Sequence, residues 1–204
     1  MNDTFIERRI DVGGTPIRCL ERGQGETVVA LHGDSDPAPN ALEDLLARQL
    51  RVVALESSAF SARPPQDAAR ILAQTLATLG LVKYALIAGG RAAVAALCHA
   101  AQAAAAPETL VLFSPAGPLA GAEVWLGDIT APTLILTGTK DEPAAEAASR
   151  LCAERIPESY PMLVYDTGAA MAAERPAALL EAVADFLERR GRFVLERQTS
   201  VISP

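Results

Sequence analysis

Short unbroken apolar runs alternate along this chain with longer stretches whose apolar positions recur every third or fourth residue. The runs are TVVALHG (27–33), RVVALE (51–56), KYALIA (83–88), TLVLF (109–113), PTLILTG (132–138) and PMLVYD (161–166). Their lengths and β-branched content predict strands buried on both faces. Between them, helices are predicted over 41–49, 66–79, 91–106, 144–155 and 176–190. In 66–79, Ile71, Leu72, Leu76 and Leu79 share one face and Gly80 closes the helix. Pro176 suits a first helical turn. Ahead of all this, FIERRIDV and PIRCLER flank Gly13 and Gly14, a hairpin pattern. Strand–helix alternation of this kind predicts an α/β fold: one domain over 1–204, with a mostly parallel sheet covered by helices on both faces. Ligands on such sheets sit outside the carboxyl ends of the strands. The segment after Gly191 reads equally well as an added edge strand or a loose end.

Composition narrows the class. Half of the 204 residues are apolar, which excludes a disordered chain. The formal charge is −7, from 18 basic and 25 acidic residues, and the basic residues are scattered. A nucleic-acid binder needs a basic face to release phosphate counterions, so that class is excluded. The three cysteines, Cys19, Cys98 and Cys152, lie far apart and form no Cys-x-x-Cys pair. They read as small buried hydrophobes in a reducing compartment. With no apolar leader at the start and no run long enough to span a bilayer, a soluble cytoplasmic protein is expected. No cofactor or metal motif is present.

The stretch LIAGGRAAVAAL, 86–97, is a strand turning sharply into a helix. In order and spacing it joins VGGTPIRCLERGQGETVVALHG, RVVALESSAFSARP, GTKD and DTGAAMAAERP to resemble the α/β-hydrolase superfamily over about Arg9 to Arg190. The resemblance implies a nucleophile elbow at 88–92, a catalytic acid at Asp141 and a histidine loop after Gly168. It also implies an oxyanion hole built from two backbone N–H groups, here those of Asp34, after His32-Gly33, and of Arg91.

The departures carry more information than the match. Ala88 and Ala92 keep the small residues of the elbow, but the nucleophile position is Gly90, which has no side chain. The general-base position is Ala169, five residues before Glu174. Of the three triad positions only Asp141 remains, and an acid that orients an absent imidazole has nothing to orient. Members with a lid carry a cap domain between the strands corresponding to TLVLF and PTLIL. Here 115–130 has room for a loop or one short helix, so a capless, open face is expected. Trp125, in this insert, is expected to cover the sheet end or plug the vacated pocket.

A relocated site has few candidates. His99 lies nine residues past Gly90, roughly 13 Å along a helix at 1.5 Å per residue, so it reads as a helix-surface or packing residue. His32 occupies a position that supports the oxyanion loop. Ser35, Ser57, Ser58 and Ser114 follow predicted strands, where serine is common for turn-forming reasons. Asp34, Asp36, Glu56, Asp141 and Asp166 also fall at strand ends, without metal-ligand spacing. The resemblance and its departures together imply a non-catalytic protein acting by ligand or protein binding. Its candidate binding residues are His32, Gly33, Asp34, Gly90, Arg91 and Asp141, with a small anion as one ligand class. The alternative is an active hydrolase or lyase-type enzyme with a relocated nucleophile at the strand ends.

Overall fold

The computed structural model describes residues 4–31, 39–56, 58–190 and 200–202. Its nine strands form one sheet in the order β1-β2-β4-β3-β5-β6-β7-β8-β9. Strands β1 (Ile6–Val12) and β2 (Thr15–Arg22) are the expected hairpin, and β2 pairs antiparallel with β4 (Arg51–Leu55). From there every pairing is parallel through β3 (Thr27–Leu31), β5 (Ala85–Gly89), β6 (Thr109–Phe113), β7 (Thr133–Gly138), β8 (Ser159–Val164) and β9 (Ser200–Ile202). The three-residue β9 adds to β8, so this part of the tail is an edge strand.

Alternate residues of the central strands feed two cores, because successive side chains leave a strand on opposite faces. Val29, Val53, Leu86, Leu110 and Ile135 enter one core. It is covered by α3 (Pro65–Thr78), α4 (Ala92–Gln102) and α5 (Pro143–Arg155). Val28, Val52, Ile87, Val111 and Leu134 enter the other, beneath α1 (Ala41–Leu46) and α7 (Pro176–Arg189). Burial on both faces is why the strands read as unbroken apolar runs. Two short helices, α2 (Ser58–Ser61) and α6 (Met171–Glu174), lie in loops that the sequence pattern does not mark as helical. No helix among the described residues is long and apolar enough to cross a membrane.

Several boundaries differ from expectation. Helix α1 stops at Leu46 instead of Gln49. Strand β8 runs Ser159–Val164, and Asp166 turns the chain at φ 60°. Helix α4 ends at Gln102, well short of Ala106, despite a run of the best helix former. Two constraints outweigh that propensity. Pro107 disfavours helical geometry at the residue before it, and the buried Tyr84 hydroxyl donates to the Ala105 carbonyl at 2.7 Å, holding the chain on course for β6.

Tyr84 also contacts His99, which is 2% exposed and, of the two expected placements, takes the packed one. The same hydroxyl shares a 2.6 Å hydrogen bond with His99 Nε2. Burial holds this imidazole well below its ordinary value, at about 4. Between the two values the unfolded chain binds a proton that the folded chain refuses. Stability is therefore complete above about pH 6.5 and is lost as pH falls towards 4, by about 3 kcal/mol for a shift of that size. Urea unfolding of wild type and His99→Gln between pH 7 and 4.5 checks this. The wild type should lose about 2 kcal/mol more over the range than the variant; parallel pH profiles would contradict it.

Candidate functional site

Strand order reverses around β3, whose neighbours are β4 on one side and β5 on the other. This switch point opens a crevice at the carboxyl ends of β3 and β5. Residues 32–38, which leave β3, lie outside the described residues, and with them His32, Gly33, Asp34, Ser35 and Asp36. Ser57 lies outside them too. The end of β5 is described in full.

There the chain passes from Gly89 through Gly90 and Arg91 into α4. Gly90 has φ +52°, in the left-handed region that costs side-chain-bearing residues roughly 1–2 kcal/mol. Its N–H donates to the Phe113 carbonyl at 3.1 Å, and its own carbonyl accepts from Ala116 N–H at 3.0 Å. The turn is thus stitched to the loop that follows β6. On either side, Ala88 and Ala92 are fully buried, which lets strand and helix approach. A Cβ placed on Gly90 would meet nothing within 4 Å. Glycine is therefore required by the backbone angle and not by crowding, and the space a side chain would use is open.

Asp141, in the turn after β7, has well-defined partners. Its Oδ2 accepts the Gly138 N–H at 2.8 Å and the Ser114 hydroxyl at 2.6 Å. Its Oδ1 lies 3.5 Å from where a Cβ on Gly168 would stand. Ser114 is 2% exposed and sits at φ 40° just past β6. Sequence reasoning set Ser114 among possible nucleophiles and left Asp141 with nothing to orient. The structure instead makes Ser114 the donor that satisfies Asp141.

The Asp141 turn is pressed against the loop after β8. Lys140 N–H donates to the Thr167 carbonyl at 2.9 Å, and a Cβ on Gly138 would stand only 2.2 Å from that same oxygen. The Thr167 hydroxyl donates to Glu174, fixing the loop from its other end. Asp141 is consequently delivered beside Gly168, and Ala169 follows at the surface. Asp166 pairs with Lys140 at 2.6 Å, which lowers the aspartate and raises the lysine. Both are well exposed, so the pair adds little stability. Glu56 accepts from the Ser58 hydroxyl at 3.2 Å. Among the described residues no three His, Cys, Asp or Glu side chains could hold a metal together. The three cysteines are free and buried, and burial pushes Cys98 up to about 11 and Cys152 up to about 12, so both thiols stay protonated.

No family model matches the sequence, and no curated protein matches it. Solved structures do match in three dimensions. A membrane phospholipase A described as a bacterial virulence factor shares 17% identity over 94% of this chain and 88% of its own, at a TM-score of 0.81. An α/β-hydrolase enzyme from a lagoon-sediment metagenome at Mar Chica, Morocco, shares 17% identity over 89% and 99%, at 0.73. The fold is that of the α/β hydrolases. A serine hydrolase involved in carbazole degradation matches in the same way, with 16% identity over 92% and 100% at a TM-score of 0.77. Identities this low establish the shared α/β-hydrolase architecture and leave the chemistry to the site.

Between β6 and β7 the chain carries only a loop and a 3-10 helix, Ala122–Asp128. Trp125, on that helix, packs against the core shared by α3, α4 and α5. It covers the core, and the cleft beside the elbow is lined by other residues: Phe60, Arg63, Arg91, Val94 and Pro118 among them. Phe60 and Arg63 were not singled out from the sequence. Their signal was weak, a Pro64-Pro65 pair that fixes the start of α3 and so points the preceding turn at the elbow.

Two glycines in this site separate cleanly by experiment. Gly90→Ala should cost about 1–2 kcal/mol, the left-handed penalty alone. Gly138→Ala should cost more, because the backbone of the Thr167 loop must move to admit a methyl group. Urea denaturation of both variants compares them directly, and equal losses would contradict the close packing of the Asp141 turn.

Proposed function

We propose that this chain is a non-catalytic protein on an α/β-hydrolase scaffold, acting through binding at the carboxyl ends of its strands. The observation that carries the reading is Gly90 at the apex of the β5–α4 turn, where the backbone geometry is kept and the nucleophile is missing. Ala169, next to Gly168, supplies no base, so the proton relay that activates a serine has no member but Asp141. That carboxylate holds structure together through Ser114 and Gly138.

Ser114 does not serve as a replacement nucleophile. Its hydroxyl is buried and gives its proton to a carboxylate that also binds a backbone N–H. A hydroxyl without a neighbouring base of suitable strength is a poor nucleophile at neutral pH. What the turn retains is its open space, the positive end of α4 and Arg91, features that suit a small anionic ligand. A protein partner at the same open face is the other occupant this reading admits.

The test is a panel of short-chain aryl esters and a serine-directed phosphonate applied to wild type, Gly90→Ser, and the Gly90→Ser/Ala169→His double variant. Wild type should be inert, and Gly90→Ser should gain almost nothing because no base activates the new hydroxyl. The open space at Gly90 admits the serine side chain at the cost of its backbone angle. Weak turnover confined to the double variant is expected if Asp141 is still placed for the role. Phosphonate labelling of wild type at a defined serine would overturn the proposal.

A further inference from the structure

The sheet ends in two edges of different kind. At one, β9 is three residues long, the short form that blunts an edge. At the other, β1 runs seven residues without proline or glycine and, among the described residues, pairs only with β2. Its outward groups follow from the ladder. Glu56 N–H donates to the Arg18 carbonyl at 3.1 Å, so the backbone of Arg18 faces β4. Arg9 stands opposite Arg18 and therefore turns its N–H and C=O away from β2, as Glu7 and Asp11 do by alternation. A row of outward-facing backbone groups is a template for another strand.

The side chains sort by the same alternation. Glu7, Arg9 and Asp11 lie on one face of β1, and Ile6, Arg8 and Ile10 on the other. Ile6 is 58% exposed and the Arg9 side chain 75%, so both stand open at the edge. Charge on an edge strand commonly keeps a second copy away. Here the signs alternate along one face, so the outcome depends on register.

In an antiparallel self-pairing, outward-facing residues meet outward-facing residues. Centred on Glu7 or on Arg9, a like charge meets itself at the axis. Centred on Ile10, Arg9 meets Asp11, whose carboxylate already takes the Gly14 N–H in the hairpin turn, and the exposed Ile6 gains no apolar neighbour. Centred on Arg8, Glu7 meets Arg9 and Ile6 meets Ile10 on both sides of the axis. Opposite charges and apolar pairs across strands both stabilise. The two Arg8 side chains then face each other, and each is held by Glu21 of its own hairpin at 2.6 Å. Glu7 takes Arg18 at 2.9 Å within its own chain and is 42% exposed, which leaves room for a second guanidinium.

We propose that β1 is the interface through which two copies of this chain pair, antiparallel about a twofold axis at Arg8, so that one sheet runs through both. The contact is isologous and closes on itself, which limits it to a dimer. An edge contact is small, so the dimer is weak and depends on concentration. This pairing is separate from binding at the carboxyl ends of the strands and does not depend on it.

Sedimentation velocity from about 5 to 500 µM, a range suited to a small interface, reads the self-association. Wild type should move towards twice the monomer mass as concentration rises. Glu7→Arg and Arg9→Glu should each weaken self-association by about tenfold or more, because like charges then face each other on both sides of the axis. Mixed in equal amounts, the two variants regain the match and should associate about as strongly as wild type. Amide hydrogen exchange gives a second readout. The outward amides of Glu7 and Arg9 should slow with concentration, while those of Arg8 and Ile10, directed at β2, should not change. Both substituted side chains are exposed, and thermal melting checks that the variants fold. A wild type that stays monomeric throughout or a loss confined to Arg9→Glu would overturn the proposal. So would a dimer indifferent to both substitutions, a mixture no stronger than its components, or outward amides that do not slow.

Discussion

Helix α4 is buried on nearly every side, and that burial sets the terms for the site. It lies between α3, the 3-10 helix and strands β3, β5 and β6, with Ala92, Ala93, Ala95, Ala96 and Ala100 all buried. Small side chains let the helix sit close to the sheet, and a helix that is apolar all round is stable only in such a place. A helix held that near to the strand it follows must be entered by an abrupt turn. Gly90 takes up the turn with a left-handed φ, and its N–H and carbonyl are tied to Phe113 and Ala116. The abrupt turn is thus a packing requirement, met at Gly90 by a residue without a side chain.

The same logic explains what Asp141 does. A carboxylate brought to the edge of a core needs donors, and the chain supplies two, from Gly138 and Ser114. Through them Asp141 ties the end of β7 to the end of β6. Gly138 permits the close approach of the Thr167 loop that completes the arrangement. Asp141 therefore has a structural role of its own at the ends of these strands.

The strands and the α/β class were legible in the sequence because burial on both faces leaves unbroken apolar runs at Thr27–Leu31, Thr109–Phe113 and Thr133–Gly138. The elbow was legible from Ala88, Gly90 and Ala92, since close approach demands small residues at fixed spacing. Other features depend on contacts distant in the chain. The early end of α4 follows from a hydrogen bond made by Tyr84, and the burial of His99 from the same residue. The pairing of Ser114 with Asp141 spans 27 residues and has no local pattern. The Arg63 wall of the cleft depends on Thr15, 48 residues away. Such contacts emerge only when the sheet brings its strand ends together.

We propose that the scaffold persists without its chemistry. Steady-state hydrolysis of 4-nitrophenyl acetate by wild type, set beside Asp141→Asn and a no-protein control, tests this most directly. Asparagine keeps the acceptor oxygen for Gly138 and Ser114 while removing the charge that any relay would use. Both proteins should match the control. Turnover by wild type that disappears in Asp141→Asn would contradict it, because a carboxylate-dependent reaction would then be running in this site.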